Sequence, residues 1–250
     1  MPEIKSPRTI KLVLGFDGTR YEGWQSQKNN RTIQELFEKC LCKILSEKVV
    51  VFGSSRTDSG VHAKGFVAHF QTRHLLTDAK IKDALNHYLP ADVVVFSAKT
   101  VRPNFHARYS AKSKIYQYDI YNSPTRPLFE APFVLWYAGP LRIDPIKNAA
   151  KFFLGQHDFL SFKDSGDDKK NTVRTIKKIS VQKKGCLIRI LIEGDGFLTH
   201  MVRIIAGTLM EVGKGRIEAD SISAIILSKK RARAGATAKA QGLTLLKVRY

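Results

Sequence analysis

The order of strand and helix patterns limits the fold of this chain most, because the same order occurs twice. Near the start, apolar residues alternate in "TIKLVLGF", which is typical of a half-buried strand. A helix pattern follows in "TIQELFEKCLCKILSE", where Thr32 and Glu35 have the spacing of a capping box. The strand patterns "VVVF" and "GFVAHF", the helix pattern "DAKIKDALNHYL" and the strand pattern "DVVVFSAKTV" come next. Residues 1–108 are therefore predicted to form a β-α-β-β-α-β unit.

Residues 109–250 repeat this order with one additional helix. The segment "DPIKNAAKFFLG" predicts a helix with Asp144 as its cap and Gly155 as its stop. The other predicted elements are the strand "SKIYQYDIYN", the hairpin "TVRTIKKISVQKKGCLIRILIE", the helix "LTHMVRIIAGTLMEVG", a helix around "SISAIIL" and the strand "GLTLLKVRY".

A β-α-β-β-α-β unit packs its helices on one face of a mainly antiparallel sheet and leaves the other face open. The sequence predicts an α+β protein made of two ferredoxin-like or RRM-like halves, residues 1–108 and 109–250. We expect their sheets to join edge to edge around a basic central cleft.

The charge of the chain indicates a polyanionic partner. Lys and Arg number 42 against 22 acidic residues, which gives a net charge of +20. Such a field attracts nucleic acid before any specific contact forms. A merely solvated basic surface and a membrane-surface binder stay open as alternatives.

Other classes of protein are disfavoured. No window approaches 18 consecutive apolar residues and the N-terminus lacks a signal-peptide pattern, so we expect a soluble cytoplasmic protein without membrane contact. The cysteines, Cys40, Cys42 and Cys186, form no C-x-x-C pair, so neither a disulfide framework nor a thiolate zinc site is expected.

Asp58 is a lone carboxylate in the stretch "SSRTDSGVHAKGFVAHF". Flanking cations such as Arg56 favour its ionised form, which excludes a role as general acid. A general base, a nucleophile, a metal ligand and a structural ion pair remain. No second acid lies nearby to complete a metal site. A Ser-His-Asp hydrolase using Ser59, His62 and Asp58 is disfavoured, because "TDSGV" is not a nucleophile elbow.

The segment "RTDSGVHA" resembles the R-T-D-A-G-V-H-A motif of the tRNA pseudouridine synthase A (TruA) family. "FDGTRYEGWQSQ" and "FHARYSAKSKIYQY" are similar to two further family motifs. Three more blocks follow in the family's order along nearly the whole chain: "FLGQHDFLSF", "GDGFLTHMVRIIAGTLMEVGKG" and "ATAKAQGLTLLKVRY".

The resemblance implies a role for four residues in a pseudouridine synthase fold. Asp58 matches the catalytic nucleophile, and Arg56 matches the arginine that helps to extrude the target base. Tyr116 matches the tyrosine that stacks on the target uracil. Arg203 matches an arginine expected to pair with the nucleophile. The catalytic loop thus falls in residues 1–108, and Tyr116 and Arg203 fall in residues 109–250.

Ordinary structural explanations exist for two of these residues. Alternation places Tyr116 on one strand face with Tyr118 and Ile120, as in an aromatic core stripe. Arg203 could be a solvated helix residue. The family usually has Gly where Ser55 stands and Ala where Ser59 stands, so the geometry of the loop before Arg56 is open.

The resemblance implies isomerisation of uridine to pseudouridine at positions 38 to 40 of the tRNA anticodon stem-loop. It implies no cofactor and no metal, and a homodimer with the tRNA reaching across subunits. Which tRNAs are modified, and whether Asp58 attacks ribose C1′ or uracil C6, stay open. A tandem RRM-like module without catalysis and a metal-dependent nuclease are the rival hypotheses.

Overall fold

The computed structural model describes residues 6–28, 30–166 and 170–250. By contact, the chain divides into unit 1, Met1–Lys112 with Leu245–Tyr250, and unit 2, Ser113–Thr244. The predicted division into domains 1–108 and 109–250 stays a prediction.

Unit 1 contains strands that pair antiparallel, with β1 between β4 and β3 and the short β2 on β3. The elements are β1 (Arg8–Phe16), α1 (Ile33–Leu45), β2 (Phe52–Gly53), β3 (His62–Thr72), α2 (Asp78–Tyr88) and β4 (Val93–Val101). The alternation predicted for β1 is confirmed, since Ile10, Leu12, Leu14 and Phe16 are all buried.

In unit 2, strand β5 pairs antiparallel with β9 and parallel with the short β6. Strands β8 and β7 follow antiparallel beyond β9. The elements are β5 (Ser113–Asn122), β6 (Leu135–Tyr137), α3 (Ile143–Lys151), β7 (Gly155–Asp158), β8 (Val173–Lys184), β9 (Leu187–Gly194), α4 (Met201–Gly213) and α5 (Ser221–Ser228). The last strand, β10 (Leu243–Arg249), runs from unit 2 into unit 1.

The α+β class with mainly antiparallel pairing is confirmed. The joining of two sheets around a central cleft stays a prediction.

The capping box predicted for α1 does not form the hydrogen bond expected from the side chain of Thr32. Thr32 is the N-cap residue, but its side chain accepts no bond from the first turn. Instead, the N–H groups of Ile33 and Gln34 donate to the carbonyls of Gly23 and Trp24, at 3.2 and 3.0 Å. The segment before the helix thus satisfies donors that a capping side chain would otherwise bind.

The strand predicted for "VVVF" is also wrong in most of its length. Only Phe52 of these residues lies in β2. The N–H of Val51 donates to Oε1 of Glu38 in α1, at 3.0 Å, rather than to a neighbouring strand. A side chain of the helix therefore takes the place of a sheet partner.

The ends predicted for α3 differ from those observed. The helix begins at Ile143, so Asp144 lies in its first turn and Arg142 is the N-cap residue. The N–H of Arg142 donates to Gly213 O at 2.9 Å, which fixes the start by a tertiary contact. The helix ends at Lys151, and Gly155, with φ of +96°, begins β7 instead of stopping the helix.

Candidate active site

Asp58 lies in a tight turn of the loop between β2 and β3. Its carbonyl accepts from the N–H of Val61 at 3.2 Å, and Gly60 within the turn has φ of +75°, which favours glycine. Asp58 is half-buried rather than enclosed in the core. A carboxylate in this position is held by its backbone and is still within reach of a ligand.

The segment from Tyr21 to Trp24 supports this turn from behind. Trp24 N–H donates to Thr57 O, and Gly60 N–H donates to Tyr21 O, both at 3.2 Å. Gly23 has φ of +85°, and a Cβ there would lie 2.4 Å from Thr57 O. Only glycine permits this approach, so the motif "YEGW" fixes the backbone on either side of Asp58.

A buried aromatic pair attaches the segment from Tyr21 to Trp24 to strand β3. The ring of Trp24 stacks on Phe66 with centroids 4.2 Å apart. Gly53 leaves room for the indole, because a Cβ there would lie 2.4 Å from it. Ser54 N–H donates to Val67 O at 2.8 Å. The start of the loop is therefore part of the packed core.

The segment from Asp17 to Thr19 holds the end of the loop. Gly18 N–H donates to Nδ1 of the buried His62 at 3.1 Å, and a Cβ on Gly18 would lie 2.1 Å from Val61 O. Burial alone would raise the pKa of Asp17, but hydrogen bonds from Thr19 and the neighbouring His62 outweigh it and lower that pKa. Asp17 thus stays ionised and keeps the turn around Gly18 ordered.

The serines of the loop are compatible with its geometry. The described non-glycine residues with positive φ are Ser46, His200 and Lys229, so Ser55 needs no glycine conformation. Ser59 Oγ donates to Tyr21 O at 3.4 Å, while Nδ1 of His62 is bound to Gly18. These contacts give the Ser-His-Asp hydrolase no support. Arg56 is exposed at the surface of the loop.

Tyr116 lies on β5 of unit 2 and is 6% exposed. Tyr118 and Ile120 are fully buried, as an aromatic core stripe on this strand would require. The ring of Tyr116 meets the half-buried Phe197 edge to face, with centroids 5.2 Å apart and planes at 86°. Phe197 therefore shields part of the surface that Tyr116 would offer to a base.

Arg203 lies on α4 and is half-buried. Its Nε donates to Ala238 O at 2.8 Å, and Ala238 N–H donates to Arg203 O at 3.1 Å. The hydroxyl of Tyr118 donates to Lys239 O at 2.8 Å. Burial raises the pKa of Tyr118, and the positive charge of Arg203 opposes that rise. The guanidinium is thus held in one direction by the loop after α5.

That loop, residues 234–240, packs closely on α4. A Cβ on Gly207 would lie 1.9 Å from Ala236 O, and Gly235 N–H donates to Thr208 Oγ1 at 2.9 Å. The guanidinium of Arg231 donates to Gly235 O at 3.0 Å. The backbone of the loop that orients Arg203 is therefore itself held by α4 and by Arg231.

The four predicted site residues divide between the units. Asp58 and Arg56 belong to unit 1, and Tyr116 and Arg203 belong to unit 2. Sequence reasoning assigned no role to Gly23, Trp24 or Phe197. These residues could have been found from the sequence, because they lie within the segments "FDGTRYEGWQSQ" and "GDGFLTHMVRIIAGTLMEVGKG" that resemble family motifs.

Residues 6–28, 30–166 and 170–250 lack two features. No group of three or more His, Cys, Asp or Glu is placed to hold a metal ion. No helix in those ranges is both long and apolar enough to cross a membrane.

Comparison with known proteins places this geometry in a family. A family model described as tRNA pseudouridine synthase matches residues 13–110 and 149–250. The tRNA pseudouridine synthase A of Acetivibrio thermocellus is 46% identical over 243 residues, covering 97% of this chain and 100% of that protein. The protein of the same name from Thermoanaerobacter sp. is 46% identical over 247 residues, with the same coverage. That of Clostridium kluyveri is 44% identical over 243 residues, again with 97% and 100% coverage. A solved chain of a Cbf5-Nop10-Gar1 complex is 14% identical with a TM-score of 0.37, covering 94% of this chain and 57% of that one.

Proposed function

The chain belongs to the tRNA pseudouridine synthase family, and we propose that it isomerises uridine to pseudouridine at positions 38 to 40 of the tRNA anticodon stem-loop, with Asp58 as nucleophile. The family membership confirms the resemblance inferred from the six sequence blocks, and the enzyme is an isomerase that makes pseudouridine in tRNA. The observation that carries the assignment of Asp58 is its half-buried position in a turn fixed by Tyr21, Gly23 and Trp24.

The reaction needs a nucleophile but no oxidant. The bond between uracil N1 and ribose C1′ breaks, a bond forms between C5 and C1′, C5 loses its proton to water and N1 gains one. The carboxylate of Asp58 attacks ribose C1′ or uracil C6 and holds one fragment covalently until the base has turned. Two steps through a covalent intermediate replace one difficult step.

A uridine in a stem must leave the helix before it can react. Unstacking costs a few kcal/mol, and stacking on an aromatic side chain returns roughly 1–3 kcal/mol per base. We assign the extrusion to the exposed Arg56 and the stacking to Tyr116. Because Tyr116 is only 6% exposed, we expect Phe197 to turn aside as the uracil enters.

Arg203 is assigned to an ion pair with Asp58. The hydrogen bond from its Nε to Ala238 O supports this role, since a planar guanidinium held at one nitrogen points its other donors in a fixed direction.

The tRNA is bound mainly through its phosphates. A net charge of +20 supplies non-specific affinity that falls as salt rises, and base-specific contacts add the choice of site. We propose a homodimer in which one tRNA contacts both subunits. The cytoplasmic location stays a prediction.

Tritium release tests the function. Purified protein is incubated with an unmodified tRNA transcript carrying uridine tritiated at C5, and pseudouridines are then mapped by sequence. We expect tritium in water and pseudouridine at positions 38 to 40. Tight binding without release would instead support the RRM-like module, and modification confined to other positions would refute the assigned site.

A further inference from the structure

A cluster of aromatic rings at the surface of unit 1 has no role in the reaction above. The ring of Phe52 stacks on that of His69, with centroids 5.1 Å apart. The ring centroids of His69 and His106 are 4.7 Å apart, and those of His106 and Tyr109 are 4.4 Å apart. Phe52 is 46% exposed and Tyr109 is 77% exposed. We refer to Phe52, His69, His106 and Tyr109 as the aromatic platform.

Backbone hydrogen bonds hold the aromatic platform in place. Ala107 N–H donates to Nδ1 of His69 at 3.1 Å, and Arg108 N–H donates to Nδ1 of His106 at 3.1 Å. The hydroxyl of Tyr250 donates to Ala107 O at 2.6 Å. Rings held this firmly by β2, β3 and the loop after β4 lose little entropy when a ligand covers them.

Both imidazoles of the platform are kept neutral. Burial, with the neighbouring His106, lowers the pKa of His69 to about 4. Burial and the charge of Arg108 lower the pKa of His106. Each ring also uses Nδ1 as an acceptor, which requires the unprotonated form at that nitrogen. The buried His69 and the half-buried His106 thus add no charge at neutral pH beneath the exposed rings of Phe52 and Tyr109.

The segment that carries His106 and Tyr109 is rich in cations. Residues 93–118 contain Lys99, Arg102, Arg108, Lys112 and Lys114 but neither Asp nor Glu. The guanidinium carbon of Arg108 lies 5.7 Å from the centre of the Tyr109 ring. A groove of about 590 Å³, lined in part by Arg102, Asn104 and Ser110, adjoins the platform, and Ser110 Oγ accepts from His106 N–H at 3.0 Å.

We propose that the aromatic platform binds an unpaired nucleobase of the tRNA substrate, stacked on Tyr109, with the adjoining phosphates on Arg108 and Arg102. This site is additional to Tyr116, which belongs to the other unit. Single-stranded nucleic acid is recognised by this combination of a basic groove and exposed rings. The inference rests on the proposed function, because the occupant is part of the tRNA.

Affinity measurements with three variants test the proposal. Tyr109→Ala is expected to weaken binding of an unmodified tRNA transcript about 5- to 150-fold, the range for loss of one stacked base. Tyr109→Phe keeps the ring and should bind within about twofold of the parent. Tyr88→Ala is the matched control, because Tyr88 is 43% exposed in the same unit and has Lys43 4.3 Å from its ring centre. That control should also stay within about twofold.

Salt dependence separates stacking from charge. Tyr109→Ala should leave the slope of log Kd against log salt unchanged, whereas Arg108→Gln should reduce it by about 0.7 to 0.9, the contribution of one phosphate. At saturating tRNA, Tyr109→Ala should keep the parental kcat for tritium release and raise only KM.

Two results would overturn the proposed binding site. The first is that the Tyr109→Ala variant binds tRNA with the same affinity as the Tyr88→Ala variant. The other is unchanged affinity with a changed sedimentation coefficient, which would show that the rings contact a second subunit. Absence of tritium release from the parent protein would instead refute the proposed function, so the two failures are distinguishable.

Discussion

Replacing Gly23 by alanine tests whether the turn of Asp58 must be held from behind. The new Cβ would lie 2.4 Å from Thr57 O, and ordinary contact begins at 3.4 Å, so the backbone beside Asp58 must shift by about 1 Å. A 1 Å misplacement of a reacting group costs about 10²-fold in rate. We therefore expect kcat for tritium release to fall about 100-fold in Gly23→Ala.

A second glycine separates this displacement from backbone strain. Gly185 in the β8–β9 hairpin has φ of +57°, and a Cβ there would meet no atom within 4 Å. Alanine at either position adds about 1–2 kcal/mol for the left-handed conformation, which lowers Tm by roughly 2–8 °C. Calorimetry should show at least that shift in both variants, with a larger loss in Gly23→Ala because of the contact with Thr57 O, whereas only Gly23→Ala should lose turnover. If Gly23→Ala retains parental kcat, the support of Asp58 by the segment 21–24 is refuted.

Three further outcomes are expected. Asp58→Asn should abolish tritium release while tRNA affinity in a filter-binding assay stays within about threefold, because phosphate contacts dominate binding; an equal loss of affinity would show that Asp58 organises the RNA site instead. Tritium release from tRNA folded in monovalent salt should survive excess chelator, and a loss restored by a divalent cation would show that the isomerisation needs a metal ion. Because burial and His106 lower the pKa of His69 to about 4 from an ordinary value of 6.5, the unfolded chain binds a proton in this window that the folded chain does not. The free energy of unfolding, measured with urea, should therefore fall as pH drops from 6.5 to 4, and an equal slope in His69→Gln would contradict this.

Periodicity predicted the long elements because burial of one face dominates their energetics. The strand at Ile10 to Phe16 and the helix at Met201 to Val212 are examples, with their predicted apolar residues buried. Predictions failed where a distant group supplied the decisive hydrogen bond. Thr32 does not cap α1 because the carbonyls of Gly23 and Trp24 reach its first turn.

In the candidate site, too, local sequence patterns were informative, whereas contacts between distant residues could not be predicted. Asp58 was predicted from its motif, and the role assigned to it comes from the family resemblance and stays a prediction. The supporting contact of Gly23 with Thr57 O joins residues far apart in sequence, and no local pattern reports such a distance. The edge-to-face contact of Tyr116 with Phe197 likewise depends on side chains from β5 and from the loop after β9.

The return of β10 to unit 1 has a consequence for synthesis on the ribosome. Lys112 N–H donates to Arg249 O, and Lys11 lies 4.6 Å from the ring centre of Tyr250, so unit 1 is completed by residues translated after all of unit 2. Nascent chains stalled before Leu245 should therefore leave the first unit incompletely ordered and open to proteases. The enzyme thus acquires its full tertiary structure late in translation, although Asp58 emerges early.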